Sequence, residues 1–142
     1  MTFPANRGQN HNLDAALNIQ AETMAYENTV LSLNPDGQTL RNQESALRES
    51  GFEVISVHSP IQARFEIEMG RCGIFLTTHI TPLAIYCDLA SLFRRNCPNG
   101  LVIFMKQHPE DQIPDAHILL SDRDEPQAVV KSIRSKQQMK AS

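Results

Sequence analysis

The sequence predicts a three-layer α/β domain whose five-stranded parallel sheet has the order 2-1-3-4-5. Three observations carry that expectation. Short apolar runs rich in β-branched residues recur five times after residue 28. Helix-forming segments separate the first four of them, and such crossovers place successive strands parallel. The fourth run, LVIFM at 101–105, is apolar at every position, as a central strand buried on both faces requires.

The elements follow in order. Thr29–Leu33 (TVLSL) reads as a buried strand. Asn34-Pro35-Asp36-Gly37 is turn chemistry, with Asp36 placed to cap a helix over 38–50. Leu40 and Leu47 share a face of that helix, and Gly51 sits where a left-handed C-terminal cap belongs. Residues 53–57 (EVISV) form the second strand. Ser59-Pro60 is a cap followed by proline at the first helical position, and the second helix spans 60–70. Residues 73–78 (GIFLTT) form the third strand. A helix over 83–96 carries Ile85, Leu89, Leu92 and Phe93 on one stripe, and Cys97-Pro98-Asn99-Gly100 stops it. After the fourth strand, residues 106–116 contain two prolines, so the fourth helix is short or missing. Residues 117–120 (HILL) form the fifth strand. Ser121 or Asp124 starts a last helix over 125–138, with Val129, Val130 and Ile133 inward. The expected core takes Leu31, Leu33, Val54, Val57, Ile74, Leu76, Val102, Phe104 and Leu119 from the strands. Leu47, Leu89, Phe93, Val129 and Ile133 join it from the helices.

This pattern divides the chain into three parts. Residues 1–28 are an extension, disordered over 1–12. Over 13–27 it is at most a helix docked on the domain, with Leu13, Leu17 and Met24 at near-helical spacing. The domain covers 29–136, and 137–142 form a tail.

The chain's 142 residues suit one domain. The formal net charge of −3 argues against a strongly basic nucleic-acid binder. No apolar run approaches the length of a membrane span, and the first residues lack the pattern of a secretory signal. Three widely spaced cysteines without a CxxC pair fit reduced thiols in a cytoplasmic protein. A zinc set of Cys72, Cys87, Cys97 and His79 lacks the closely spaced ligand pairs that such sites use.

Ligands of doubly wound sheets bind beyond the carboxyl ends of the strands. That rim holds Asn34, Pro35 and Asp36; Thr78 and His79; Met105 and Lys106; Ser121 and Asp122. It carries no glycine-rich phosphate loop, no nucleophile elbow and no cysteine–histidine pair. Asp36 and Asp122 read as a helix cap and a turn residue rather than as a metal pair, and no cofactor or metal is expected.

Over residues 29–136 the chain resembles the receiver domain of two-component response regulators, a flavodoxin-like fold. The resemblance rests on VLSLNPD, SGFEVISV, GIFLTTHITP, FRRNCPNGLVIFM and HILLSDRDEPQAVVKSI in that order. It includes the step from Thr78 to Pro82 and the acidic-Pro start of the last helix at Glu125-Pro126. The resemblance implies five functional positions, and all five depart from the pattern. Asn34 and Pro35 stand for the acidic pair, Thr78 for the phospho-accepting aspartate, Met105 for the hydroxyl residue and Asp122 for the lysine. A threonine offers no ionised carboxylate to form an acyl phosphate, and Mg²⁺ lacks its hard oxygen ligands. The sequence therefore predicts a degenerate, stand-alone pseudo-receiver. It is non-phosphorylatable, not an enzyme, and acts in two-component or phosphorelay signalling by protein–protein interaction. The resemblance implies a signalling protein as partner, and a homodimer through the fifth strand and last helix. Two alternatives stay open: a phosphorelay receiver using Asp36 or Asp88, and a small-ligand-binding or enzymatic protein on the same frame.

Overall fold

The computed structural model describes residues 26–78 and 82–141. The expectations for the leader, for the segment up to residue 25 and for His79 lie outside the described residues.

The strands are β1 (Thr29–Leu33), β2 (Glu53–Val57), β3 (Ile74–Thr78), β4 (Leu101–Lys106) and β5 (Ile118–Ser121). They form one sheet in the order β2-β1-β3-β4-β5, parallel throughout. The helices are α1 (Gly37–Glu49), α2 (Pro60–Met69), α3 (Leu83–Asn96) and α4 (Pro126–Ala141). No helix occupies the β4–β5 connection, as the two prolines there require.

The sheet divides two cores because successive strand residues face opposite sides. Val30, Ile74, Leu76, Ile103 and Met105 face α1 and α4, whose Leu47, Val129, Val130 and Ile133 meet them. Leu31, Leu33, Phe75, Val102 and Phe104 face α2 and α3, whose Ile67, Tyr86, Leu89 and Phe93 meet them. Phe75 and Phe93 lie 5.8 Å apart between ring centroids.

Local chemistry sets the helix ends. Asp36 caps α1 and Ser59 caps α2, each side chain accepting an early backbone N–H, and Pro60 opens α2. Gly51 (φ 95°) and Gly70 (φ 71°) take the left-handed conformation after α1 and α2. Asp124 does not cap α4 in this manner: its carboxylate turns back to accept the Ser121 N–H at 2.9 Å. α4 then opens on Pro126 and runs to Ala141, three residues beyond the expected end. Residues 136–140 (KQQMK) are good helix formers with no glycine or proline to stop them, so the expected tail is mostly helix. β3 begins at Ile74 rather than at Gly73. β4 and β5 each run one residue further than expected because Lys106 pairs with Ser121.

Leu119 corrects the expected core, being 45% exposed. Its neighbours Ile118 and Leu120 pack against the α1–α4 core, so Leu119 faces the side where the fourth helix is missing. The connection itself is tied down nearby. The fully buried Tyr86 stacks edge-on against Phe104 and donates its hydroxyl to the Pro114 carbonyl at 2.8 Å. Arg94 pairs with Asp115 at 2.7 Å. Ile113 and Ala116 pack partly against the α2–α3 core.

Two contrasts test this arrangement. Phe93→Ala should cost about 3–5 kcal/mol in urea unfolding. Leu119→Ser should change stability by less than about 0.5 kcal/mol, as at an ordinary surface position. Equal losses would mean that Leu119 is covered in solution. Tyr86→Phe should cost about 1 kcal/mol and speed hydrogen exchange within 107–117, because it leaves the Pro114 carbonyl without its donor. Unchanged exchange there would show that this hydroxyl does not hold the loop.

Candidate functional site

The carboxyl ends of the strands form the rim at which a doubly wound sheet presents ligands. At the end of β1, Asn34 is buried, and its N–H bonds to the Val57 carbonyl at 3.2 Å, prolonging the β1–β2 ladder. Its side-chain Oδ1 accepts the Asp36 N–H at 2.9 Å, closing the turn that Pro35 enters. Asp36 is exposed, but its carboxylate is engaged by the Thr39 N–H at 3.1 Å and by the Thr39 hydroxyl. The Thr39 hydroxyl and then the Thr39 N–H hold its pKa below the ordinary carboxylate value.

At the centre, Thr78 ends β3 level with Met105 of β4. Its hydroxyl donates to the Met105 carbonyl at 3.2 Å and so links the two strand ends. The Met105 side chain is buried in the α1–α4 core. Lys106 ends β4, and its ammonium donates to the Pro109 carbonyl at 2.7 Å and the Asp111 carbonyl at 3.3 Å. At the edge, the Asp122 N–H bonds to the Lys106 carbonyl at 2.8 Å while its side chain is exposed.

The rim therefore gathers Asn34, Pro35, Asp36, Thr78, Lys106 and Asp122 along one end of the sheet, but not as a ligand cage. Asp36 follows β1 and Asp122 follows β5. Three strand spacings of about 4.8 Å separate those strands, so the two short carboxylates start roughly 14 Å apart. Among the described residues no group of three histidine, cysteine or acidic side chains could hold a metal ion. The candidate acceptor Asp88 is exposed on α3.

The cysteines form no disulfide. Cys87 lies on α3 ten residues before Cys97, which caps that helix, an axial separation of about 15 Å that prevents a shared zinc ion. Cys72 is buried, and desolvation pushes its thiol up to about 12, so it stays protonated and unreactive at neutral pH. Cys72 and Cys97 line a cavity of about 190 Å³ with Tyr26, Ile67 and Phe93, at the opposite end of the sheet from the rim. That is below the roughly 300–1,000 Å³ of a typical small-molecule site. No described helix is long and apolar enough to cross a membrane.

The tether of Lys106 to its own loop was not anticipated from sequence. Its signal is only a lysine three residues before a proline, which does not specify the turn.

No protein-family model matches the chain, and no curated protein matches its sequence. Solved structures do match its fold. A CheY-like response regulator receiver domain protein from Methanospirillum hungatei superposes with a TM-score of 0.68 at 16% identity, covering 80% of this chain and 98% of that one. The chemotaxis response regulator CheY4 of Vibrio cholerae gives 0.66 at 12%, covering 75% and 96%. A response regulator receiver protein from Sinorhizobium medicae gives 0.63 at 19%, covering 75% and 91%. The chain has the flavodoxin-like, CheY-like fold of receiver domains.

The Asp36 carboxylate carries a test of the rim's first turn. A depressed pKa in the folded state adds stability above the unfolded value, near 3.9, and that stability is lost as pH falls through the folded value. Asp36→Asn keeps a capping oxygen but loses the charge. Wild type should be the more stable at pH 7, and the gap should be smaller at about pH 2 in urea unfolding. A gap equal at both pH values would show that the charge does not act at the cap.

Proposed function

We propose that this chain is a receiver-type module of two-component or phosphorelay signalling that is not phosphorylated and acts by binding another protein. The observation that supports this reading best is the self-satisfied rim. Thr78 spends its hydroxyl on Met105, Asn34 spends its amide oxygen on the Asp36 N–H, and Asp36 is held by Thr39. Acyl-phosphate formation needs a free carboxylate nucleophile, and the position level with Met105 offers a neutral hydroxyl. Mg²⁺ fits poorly beside it. The metal needs several hard oxygen ligands, whereas Pro35 offers no side-chain donor and the Asn34 oxygen is already committed. On this reading the chain has no catalytic centre and works in the cytoplasm with its thiols reduced. The module spans 29–136 together with the rest of α4 to Ala141, with 1–28 as an extension.

The contact surface we propose is β5 with α4 and the β4–β5 loop. Leu119 lies exposed beside a shallow groove lined by Pro109, Glu110, Asp111, Gln112, Ile113 and Pro114. An apolar side chain at an uncovered sheet edge, rimmed by acidic residues, suits a protein partner or a second copy of this chain. Nucleic acid and membrane are not among the partners proposed: the groove beside Leu119 carries the acidic Glu110 and Asp111, and the exposed bases of this surface, such as Lys131 and Arg134, lie apart from it on α4.

Intact-mass analysis after incubation with phosphoramidate and Mg²⁺ tests the reading and should show no phosphoryl adduct. A stoichiometric, base-labile adduct that disappears in Asp36→Asn would return the protein to ordinary phosphorelay. Thr78→Asp alone should also stay unmodified, because one carboxylate without an acidic pair holds Mg²⁺ weakly. Phosphorylation of that single variant would overturn this account of the rim.

A further inference from the structure

α2 carries apolar side chains on both of its faces. Ala63 and Ile67 are buried against the sheet. Ile61, Phe65 and Met69 point away, 82%, 56% and 49% exposed. Residues four apart stand one above another on a helix, so these three form one stripe along the length of α2. The outer face of a surface helix is ordinarily polar. On α3 and α4 the large exposed apolar residues are single: Leu83 and Met139.

We propose that residues 13–25 of this chain cover that stripe as an amphipathic helix lying parallel to α2. The described chain starts at Tyr26, beside the last turn of α2. Tyr26 lines one cavity with Ile67 and Gly70, which bracket Met69, and another with Glu66 and Arg71. Residue 25 is therefore joined to the described chain beside the C-terminal turn of α2. The length fits: thirteen helical residues span about 20 Å, and the ten of α2 span about 15 Å. The pattern fits as well. Leu13, Ala16, Leu17, Ala21 and Met24 fall on one helical face, which Gln20 interrupts, while Asp14, Asn18 and Glu22 fall on another and Ile19 stands apart from the apolar face. Two alanines among the larger residues leave room for a bulky partner such as Phe65. The area also favours an occupant from the same chain. Three side chains fall well short of the roughly 800 Å² that each partner of a stable complex buries. A segment joined through Tyr26 needs less, because tethering makes its docking an intramolecular step.

Hydrogen exchange on the full chain tests the proposal, and it stands apart from the function proposed above. Amides of 13–24 should exchange at least about tenfold more slowly than in a free peptide of that sequence. Phe65→Gln and Leu17→Gln should each abolish that protection, and the double variant should lose nothing further. Should Phe65→Gln fail to fold, Ile61→Gln, at the most exposed position of the stripe, reads the same contact. Absence of protection in the wild type, or protection that survives both Phe65→Gln and Ile61→Gln, would overturn the proposal. So would protection that appears only with rising concentration and a doubled mass in light scattering, which would make the occupant a second copy.

Discussion

Two-sided burial of the central strands governs the rest of this molecule. Val30 and Leu31, Ile74 and Phe75, and Val102 and Ile103 are adjacent residues that enter different cores, and all are essentially inaccessible to water. A parallel strand of this kind admits polar side chains only at its ends. Ser32 marks the limit: its hydroxyl is buried in the middle of β1 and has no hydrogen-bond partner among the described groups. Polar chemistry is thereby pushed to the rim, and that is where a functional reading must be sought.

At the rim, satisfying the backbone and supplying a ligand site compete for the same side chains. The carbonyl of Met105 accepts from Thr78, and the N–H of Asp36 donates to Asn34. Thr39 holds the one carboxylate that begins α1. Neutral residues do this well because they close turns without bringing like charges together. A set of carboxylates there would repel one another until a cation arrived. These rim groups meet one another's hydrogen-bonding needs as they stand, and this supports the reading proposed above.

Much of the fold was legible because its signals are local. Ser59-Pro60, Asp36 and Gly51 each act within a few residues, and the prolines between β4 and β5 excluded a helix there. Leu119 was misplaced because alternation tells which side of a strand a residue faces, and not whether anything covers that side. Tyr86 shares a helical face with Leu89 and Phe93, three and seven residues on, yet its bond to Pro114 spans 28 residues and leaves no local trace. The Thr78–Met105 bond has the same origin: strand register fixes it across 27 residues. In α2 the spacing of Ile61, Phe65 and Met69 suits a buried face as well as the Ala63–Ile67 pair does. Only the packing shows which face turned inward.

The two ends of the folded unit leave from one pole. The Gln137 amide donates to Asn28 Oδ1 at 2.8 Å, and Arg134 on the same helix reaches the Ser50 carbonyl at 2.6 Å. Asn28 immediately precedes β1, so this pole lies a full strand length, about 17 Å, from the rim. Neighbouring ends are what circular permutation and domain insertion exploit. A short linker could join the region before β1 to the end of α4, with new termini opened in the exposed stretch at 107–110. In such a rearranged chain every strand would keep its neighbours, and the order of synthesis would change while the sheet did not.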